Sequence, residues 1–407
     1  MLWYYYNIFI YIYIYIKEMF RNFCRKVKHA SIMLGFCYML YQHPYVHNKI
    51  VIKYNQISLI NKLIPSLIKI NIPNKAIALQ VNANNPVEDK FIMQKITLSN
   101  NSNNNNNAYF LAVFDGHGGY QLSEYVTHHL VDNFKKAFSM QPEHTSFENK
   151  IITSLHSSFN TIETNFYNES LINYVKGNGR LATVGSCALV AVVANHKLYI
   201  ANLGDSKARI FSRDNNNNNA YNVIKGSVVY NARKKFEQER LVKEFPNEHN
   251  IYVCSKPDAC YVKGRLQPTR TFGDFHLKYS EFNAHISNKE NSTQYKKQIT
   301  NFKGPYISAI PDIKVFDLTD NDDYLLLASD GLWDNLKSKE VKKLLHKGEG
   351  DIEKLSYSIL GLCLNKAATN ANMKIEDMLN IKVGKMRRNI HDDITMILFD
   401  LRSSNLL

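Results

Sequence analysis

Several patterns that mark common catalytic classes are missing from this 407-residue chain. Its six cysteines are Cys24, Cys37, Cys187, Cys254, Cys260 and Cys363, and no two form a Cys-x-x-Cys pair. Their spacings match no zinc site, and they read as reduced thiols in a reducing compartment. A thiol-dependent phosphatase would need Cys-x5-Arg. No cysteine has an arginine six residues on, and Cys260 and Arg265 fall one short, which disfavours a covalent cysteine mechanism. There is no G-x-x-x-x-G-K-[ST] run, which disfavours nucleotide binding through a P-loop. No internal repeat is visible. The apolar opening Met1–Ile16, MLWYYYNIFIYIYIYI, stops short of the ~20 residues that span a bilayer.

Acids are also scarce at the start. Residues 1–80 carry ten Lys/Arg and a single acid, Glu18, for a net +9 out of the formal +14 of the whole chain. The basic character is thus mostly N-terminal and argues weakly for nucleic-acid binding, and no nucleic-acid partner is expected. Met1–Ile16 lacks a basic leading segment, so it is a poor secretory signal. A signal anchor, a cleaved leader and a mis-assigned start codon all fit it. From Lys17 to Lys75 the composition suits a transit segment for a mitochondrion or another organelle. A disordered extension with no address fits as well, which would leave the protein cytoplasmic or membrane-anchored. Membrane contact is expected only through this segment. Residues 1–75 are set apart as an N-terminal extension, and residues 76–407 as one domain.

What is present begins with an apolar content of 45%, enough for a sizeable core. The central stretch is Phe110–Gly119, FLAVFDGHGG. Phe110–Phe114 reads as a buried strand bounded by turn residues. Asp115 sits at its tip, where a carboxylate is costly unless a cation or hydrogen-bond donors neutralise it. Gly116, Gly118 and Gly119 permit a sharp turn and close approach to a ligand. His117 lies within reach of the same point. Strands are expected at Phe91–Leu98, Ser186–Val193, Lys197–Asn202, Lys207–Ser212, Pro311–Phe316 and Tyr324–Ala328, with a last one inside His391–Phe399. Helices are expected at Tyr120–Phe138, Ile151–Tyr167, Ala232–Phe245, Ser338–His346 and Ile352–Lys366. Polyasparagine loops fall at 100–107 and 215–219, and 275–304 is polar and irregular. Strands then two helices, followed by strands then two helices, predict an α+β sandwich rather than alternating βαβ units.

The acids Glu88, Asp89, Asp115, Asp205, Asp330, Asp334, Asp392 and Asp393 share one feature, since almost all sit at a strand edge. Strands of one sandwich end on common rims, so these carboxylates can converge, and a converged set cannot stay ionised without cations. Mg²⁺ or Mn²⁺ would suit the all-oxygen donor set. Two such ions ~3.5–4 Å apart can bridge a water and lower its pKa for in-line attack on phosphorus. Asp115 is the natural bridge with the Gly116 carbonyl beside it, and His117 is the natural acid for the leaving oxygen.

At these residues the sequence resembles the PP2C (PPM) family of metal-dependent serine/threonine phosphatases. The resemblance rests on ED at 88–89, FDGHGG at 114–119, GDSKA at 204–208, KGRLQPTRTFGD at 263–274, ASDGLWD at 328–334 and HDDIT at 391–395. It implies a β-sandwich of two antiparallel sheets flanked by helix pairs, a single catalytic domain acting as a monomer, and phosphoserine or phosphothreonine protein substrates. It further implies that Asp115 bridges two metals, with Gly116 giving its carbonyl, Asp330 and Asp392 on the first metal, Glu88 acting through water and Asp89 near the second. Asp205 and Asp334 match a third, weaker position. His117 matches the general acid, and 275–304 matches a variable flap beside the active site. Many members carry a phosphate-holding arginine four residues before the Glu. Here that position is Asn84, which leaves the phosphate to Asn84 itself or to another cation such as Arg270. NANNPVEDK resembles the pyruvate dehydrogenase phosphatase branch in this asparagine.

Overall fold

The computed structural model describes residues 67–99, 105–214, 217–283, 298–345 and 351–402. All of them belong to one compact unit, Ile57–Leu407. The expectations for Met1–Ile16, for most of the basic N-terminal segment, and for the middle of the 275–304 flap lie outside the described residues.

The chain opens with the hairpin β1 (Ile68–Ile72) and β2 (Ala76–Val81), then crosses to β3 (Lys90–Ser99) and β4 (Asn105–His117). Two long helices follow, α1 (Gln121–Ser139) and α2 (Phe147–Val175). Next come β5 (Gly185–Ala194), β6 (Lys197–Leu203), β7 (Lys207–Asp214), β8 (Asn217–Lys225) and the charged helix α3 (Lys235–Glu244). A small hairpin, β9 (Tyr252–Lys256) with β10 (Ala259–Val262), precedes the two-residue β11 (Phe272–Gly273). The last third holds β12 (Asp312–Asp317), β13 (Asp322–Ala328), α4 (Asp330–Trp333), α5 (Ser338–Leu345), α6 (Ile352–Asn370), α7 (Ile375–Asn380), α8 (Lys385–Arg388) and β14 (Ile394–Asp400).

These strands form two antiparallel sheets. One runs β1-β2-β14-β13-β7-β8, and the other β12-β6-β5-β4-β3 with β11 against β5. Period-two alternation explains why the central strands read as unbroken apolar runs. In β4, Leu111 and Val113 face the opposite sheet, where they meet Ala78, Leu325, Leu327, Ile397 and Phe399. Phe110, Ala112 and Phe114 face the other way, onto Val126, Leu130 and Phe134 of α1 and Phe159 of α2. Across the molecule, Leu326 of β13 and Met396 and Leu398 of β14 pack on Val341 of α5 and Leu360 and Leu364 of α6. Each central strand is therefore buried on both faces, and the layers are helices, sheet, sheet, helices. No helix among the described residues is long and apolar enough to cross a membrane.

Three features differ from the sequence reading. Cys254 and Cys260 are joined in a disulfide rather than held as free thiols. The β9–β10 register sets them opposite one another, a pairing that spacing alone does not reveal. Cys187 and Cys363 are free and buried, as expected of reduced thiols. The segment after Asp274 is less polar than its composition suggested: Phe275, Leu277 and Phe282 are buried, and Phe275 and Phe282 pack on Tyr167 of α2. Finally, regular structure starts at β1, inside the segment set apart as an extension, and Asn105–Asn107 of the first polyasparagine run pair with Thr97–Ser99.

Candidate active site

The site lies where strand ends from both sheets meet. Asp115 is near the end of β4, opposite Cys187 of β5. Asp205 lies in the turn by which the chain passes from β6 in one sheet to β7 in the other. Asp330 is the first residue of α4, just past β13, and its backbone N–H donates to Asp115 Oδ2 (3.4 Å). Carboxylate oxygens of Asp115, Asp205 and Asp330 all lie within 4.8 Å of one another. Two glycines make the approach possible. A Cβ at Gly116 would come within 2.4 Å of the Glu88 carbonyl oxygen, and one at Gly204 (φ +123°) within 2.3 Å of Cys187 Sγ.

A second group of acids adjoins the first. Asp393 organises it by accepting hydrogen bonds from the backbone N–H groups of Ala83 (2.6 Å), Asn84 (2.8 Å) and Glu88 (2.9 Å), and from Asn84 Nδ2 (3.0 Å). The β2–β3 crossing is thereby fixed, with Glu88 and Asp89 at its far end. The Glu88 carbonyl also accepts from Ser123 Oγ (2.5 Å). Asp392 accepts from Asn84 Nδ2 (3.3 Å) on Oδ1 and pairs with Arg388 at 2.5 Å through Oδ2. Asp334 is exposed, 3.9 Å from Arg233, and its charge adds to those that raise the Asp330 carboxyl.

The electrostatics follow from crowding. Burial, then the charges of Asp330 and Asp89, hold the Asp115 carboxyl well above its usual range. Burial, then Asp205 and Asp392, do the same to Asp330. Asp89 is raised well above its usual range by burial and then by Asp393 and Asp392. Asp392 is pushed up to about 6 by burial, against the relief given by Arg388. Groups so perturbed, gathered in one place, mark a functional site rather than a solvated surface.

His117 ends β4, half-buried, with Nε2 2.6 Å from Asp274 Oδ2. Burial opposes its charge, but Asp274, Asp205 and Glu88 outweigh it, and the imidazole pKa is raised. Asp274 is itself held in a left-handed backbone conformation (φ +50°) and accepts from Thr271 Oγ1 (3.0 Å). The loop that carries it is anchored by a buried ion pair, Lys278–Glu163, at 2.5 Å, with Gly273 N–H donating to Glu163 Oε2 (2.9 Å).

Of the residues named from sequence, Asp115, Gly116, His117, Asp205, Asp330, Glu88, Asp89 and Asp392 cluster at this junction. Asp205 falls with Asp115 and Asp330, and is further held by Cys187 Sγ (3.3 Å) and Asn231 Nδ2 (3.1 Å). The Asn84 side chain is committed to Asp392 and Asp393. Arg270 donates to the Ile310 carbonyl (2.9 Å) and lies 3.9 Å over the Tyr230 ring. Asp274, Asp393 as a hub, and Arg388 were not singled out from sequence. The GD ending KGRLQPTRTFGD was the available signal for Asp274.

The donor set fits a hard divalent cation. It is all oxygen, and three carboxylates converge at a distance where they cannot all stay ionised without a positive partner. Asp89 Oδ2, buried, has no hydrogen-bond partner, which is costly unless something cationic meets it. Carboxylates gathered on the rim of an antiparallel sandwich form a candidate metal centre.

The protein phosphatase 2C family model matches residues 79–372. "Probable protein phosphatase 2C 79" of Arabidopsis thaliana is 31% identical over 329 residues, spanning 80% of each chain. "Probable protein phosphatase 2C 72" of Oryza sativa subsp. japonica is 31% identical over 318 residues, covering 78% of this chain and 76% of its own. The fold is similar to that of the serine-threonine phosphatase 2C from Toxoplasma gondii, with a TM-score of 0.52 at 16% identity, over 83% of this chain and 99% of that one. The chain belongs to the protein phosphatase 2C family and is a protein serine/threonine phosphatase.

Proposed function

We propose that this phosphatase uses Mg²⁺ or Mn²⁺, held by Asp115, the Gly116 carbonyl, Asp330, Asp392 and Asp89, with Glu88 reached through water and Asp205 and Asp334 serving a third, weaker position. Ions held by these residues would supply a lowered water pKa for in-line attack and a positive charge facing the phosphoryl oxygens. The close approach of Asp115, Asp205 and Asp330 is the observation that carries this reading.

His117 is the general acid in this account. Asp274 holds Nε2, so the proton on Nδ1 is the one passed to the leaving oxygen. The raised imidazole pKa keeps that proton in place near neutral pH. Thr271, Glu163 and Lys278 hold in place the loop that presents Asp274 to Nε2.

Substrates are phosphoserine or phosphothreonine proteins, and the catalytic domain acts as a monomer. The asparagine at 84, locked to Asp392 and Asp393, supports a place near the pyruvate dehydrogenase phosphatase branch. The net +9 over residues 1–80 supports an organellar address, a mitochondrion or another organelle, with membrane contact confined to that segment.

The acid role is tested by leaving group. His117→Ala slows a phosphothreonine peptide by roughly 10²-fold or more, while p-nitrophenyl phosphate, whose leaving group needs little protonation, is slowed far less. Asp274→Asn shows the same selectivity to a smaller degree. Equal losses on both substrates remove His117 from the acid role.

A further inference from the structure

A phosphomonoester entering a rim of carboxylates carries its own negative charge, so it requires a cation that is neither buried nor committed elsewhere. The arginines near the site differ in this respect. Arg270 is spent on the Ile310 carbonyl and the Tyr230 ring. Arg233 lies 3.9 Å from Asp334. Arg388 is different: it is exposed, yet its guanidinium contacts Asp392 Oδ2 at 2.5 Å. Asn84 holds the other oxygen of the same carboxylate. The short helix that carries Arg388 is tied to this place, because the Gly384 N–H donates to the Ala83 carbonyl (2.7 Å) and the Arg388 N–H to the Gly384 carbonyl (3.0 Å).

We propose that Arg388 is the substrate-phosphate contact, its guanidinium reaching from Asp392 onto the phosphoryl oxygens. The proposal rests on the phosphatase reading above. A guanidinium suits the task because its fork can bond one oxygen of Asp392 and still present donors to a phosphate.

The test uses the full chain and two calorimetric titrations, Mn²⁺ into metal-stripped protein and inorganic phosphate into Mn²⁺-saturated protein. Arg388→Ala is expected to weaken phosphate at least ~10-fold with the variant saturated in Mn²⁺, the saturating concentration being set by the first titration because Arg388 pairs with Asp392. Arg388→Lys recovers part of the phosphate affinity. Lys385→Ala, which removes an exposed charge from the same helix, changes phosphate affinity less than ~2-fold. KM for a phosphothreonine peptide rises in parallel with the phosphate constant. Phosphate affinity unchanged in Mn²⁺-saturated Arg388→Ala overturns the assignment. A wild-type protein that binds Mn²⁺ but neither binds phosphate nor hydrolyses the peptide overturns the phosphatase reading as well.

Discussion

Asp115→Asn is expected to lower kcat/KM for a phosphothreonine peptide by well over the ~10–100-fold that loss of an outer-shell metal partner costs. It removes one charge from a point that Asp205 and Asp330 also approach. The same change is expected to leave the metal-free protein as stable as the wild type or more so at pH 7.5. The reason is that burial and neighbouring acids already disfavour the ionised Asp115 carboxyl, and asparagine is neutral at the same volume. Steady-state kinetics and a thermal melt on one preparation give both readings. Activity within tenfold of the wild type would show that Asp115 is no essential ligand. A collapsed melting temperature without metal would show that its role is structural.

The second large effect is a coupling of pH, metal and stability. Asp89, Asp115 and Asp330 have folded-state pKa values well above the usual carboxylate range, and Asp392 titrates at about 6. An acid whose pKa is raised by folding binds more protons when folded than when unfolded. Its neutral form therefore favours the fold below the unfolded value, and that stability is lost as pH rises through the folded value. For Asp392 the window runs from roughly 4, the unfolded aspartate value, to about 6, and the other three extend it upward. The metal-stripped protein should thus melt at a lower temperature at pH 7.5 than at pH 5. Mn²⁺ at ~100 times its Kd adds about 2.7 kcal/mol, or roughly 4 °C for a domain of this size. At a fixed Mn²⁺ concentration the gain should be larger at pH 7.5, where the carboxylates are ionised and need a cation to remain together. A pH-independent melt with no response to Mn²⁺ would contradict a cluster that needs a cation.

Much of the fold was legible because each sheet is buried on both faces. Strands such as Phe110–Phe114 and Tyr324–Ala328 then appear as apolar runs ended by an acid or a turn. The carboxylates were legible for the same reason, since an acid that caps such a run has little reason to be there without a counter-charge. What escaped depended on contacts between distant segments. Asp274 meets His117 across 157 positions, and no local pattern announces that pairing. Asp393 was visible as the twin of Asp392, but its four hydrogen bonds to 83–88 depend on β14 lying beside β2. The disulfide depends on a hairpin register, and α2 runs past its apolar spacing because Glu163 and Ser170 are buried on its inner face with polar partners. Local composition also misjudged the start of the flap, where aromatic side chains separated by polar ones turn to one face of α2.

The most direct test of the account is hydrolysis of a phosphothreonine peptide by the full chain, stripped of metal, before and after addition of millimolar Mn²⁺ or Mg²⁺. The account predicts no turnover without metal, recovery on addition of either ion, and loss again on chelation. Turnover by the stripped protein that survives a chelator would contradict it, because the carboxylate rim would then be hydrolysing phosphoesters without the cations it is built to hold.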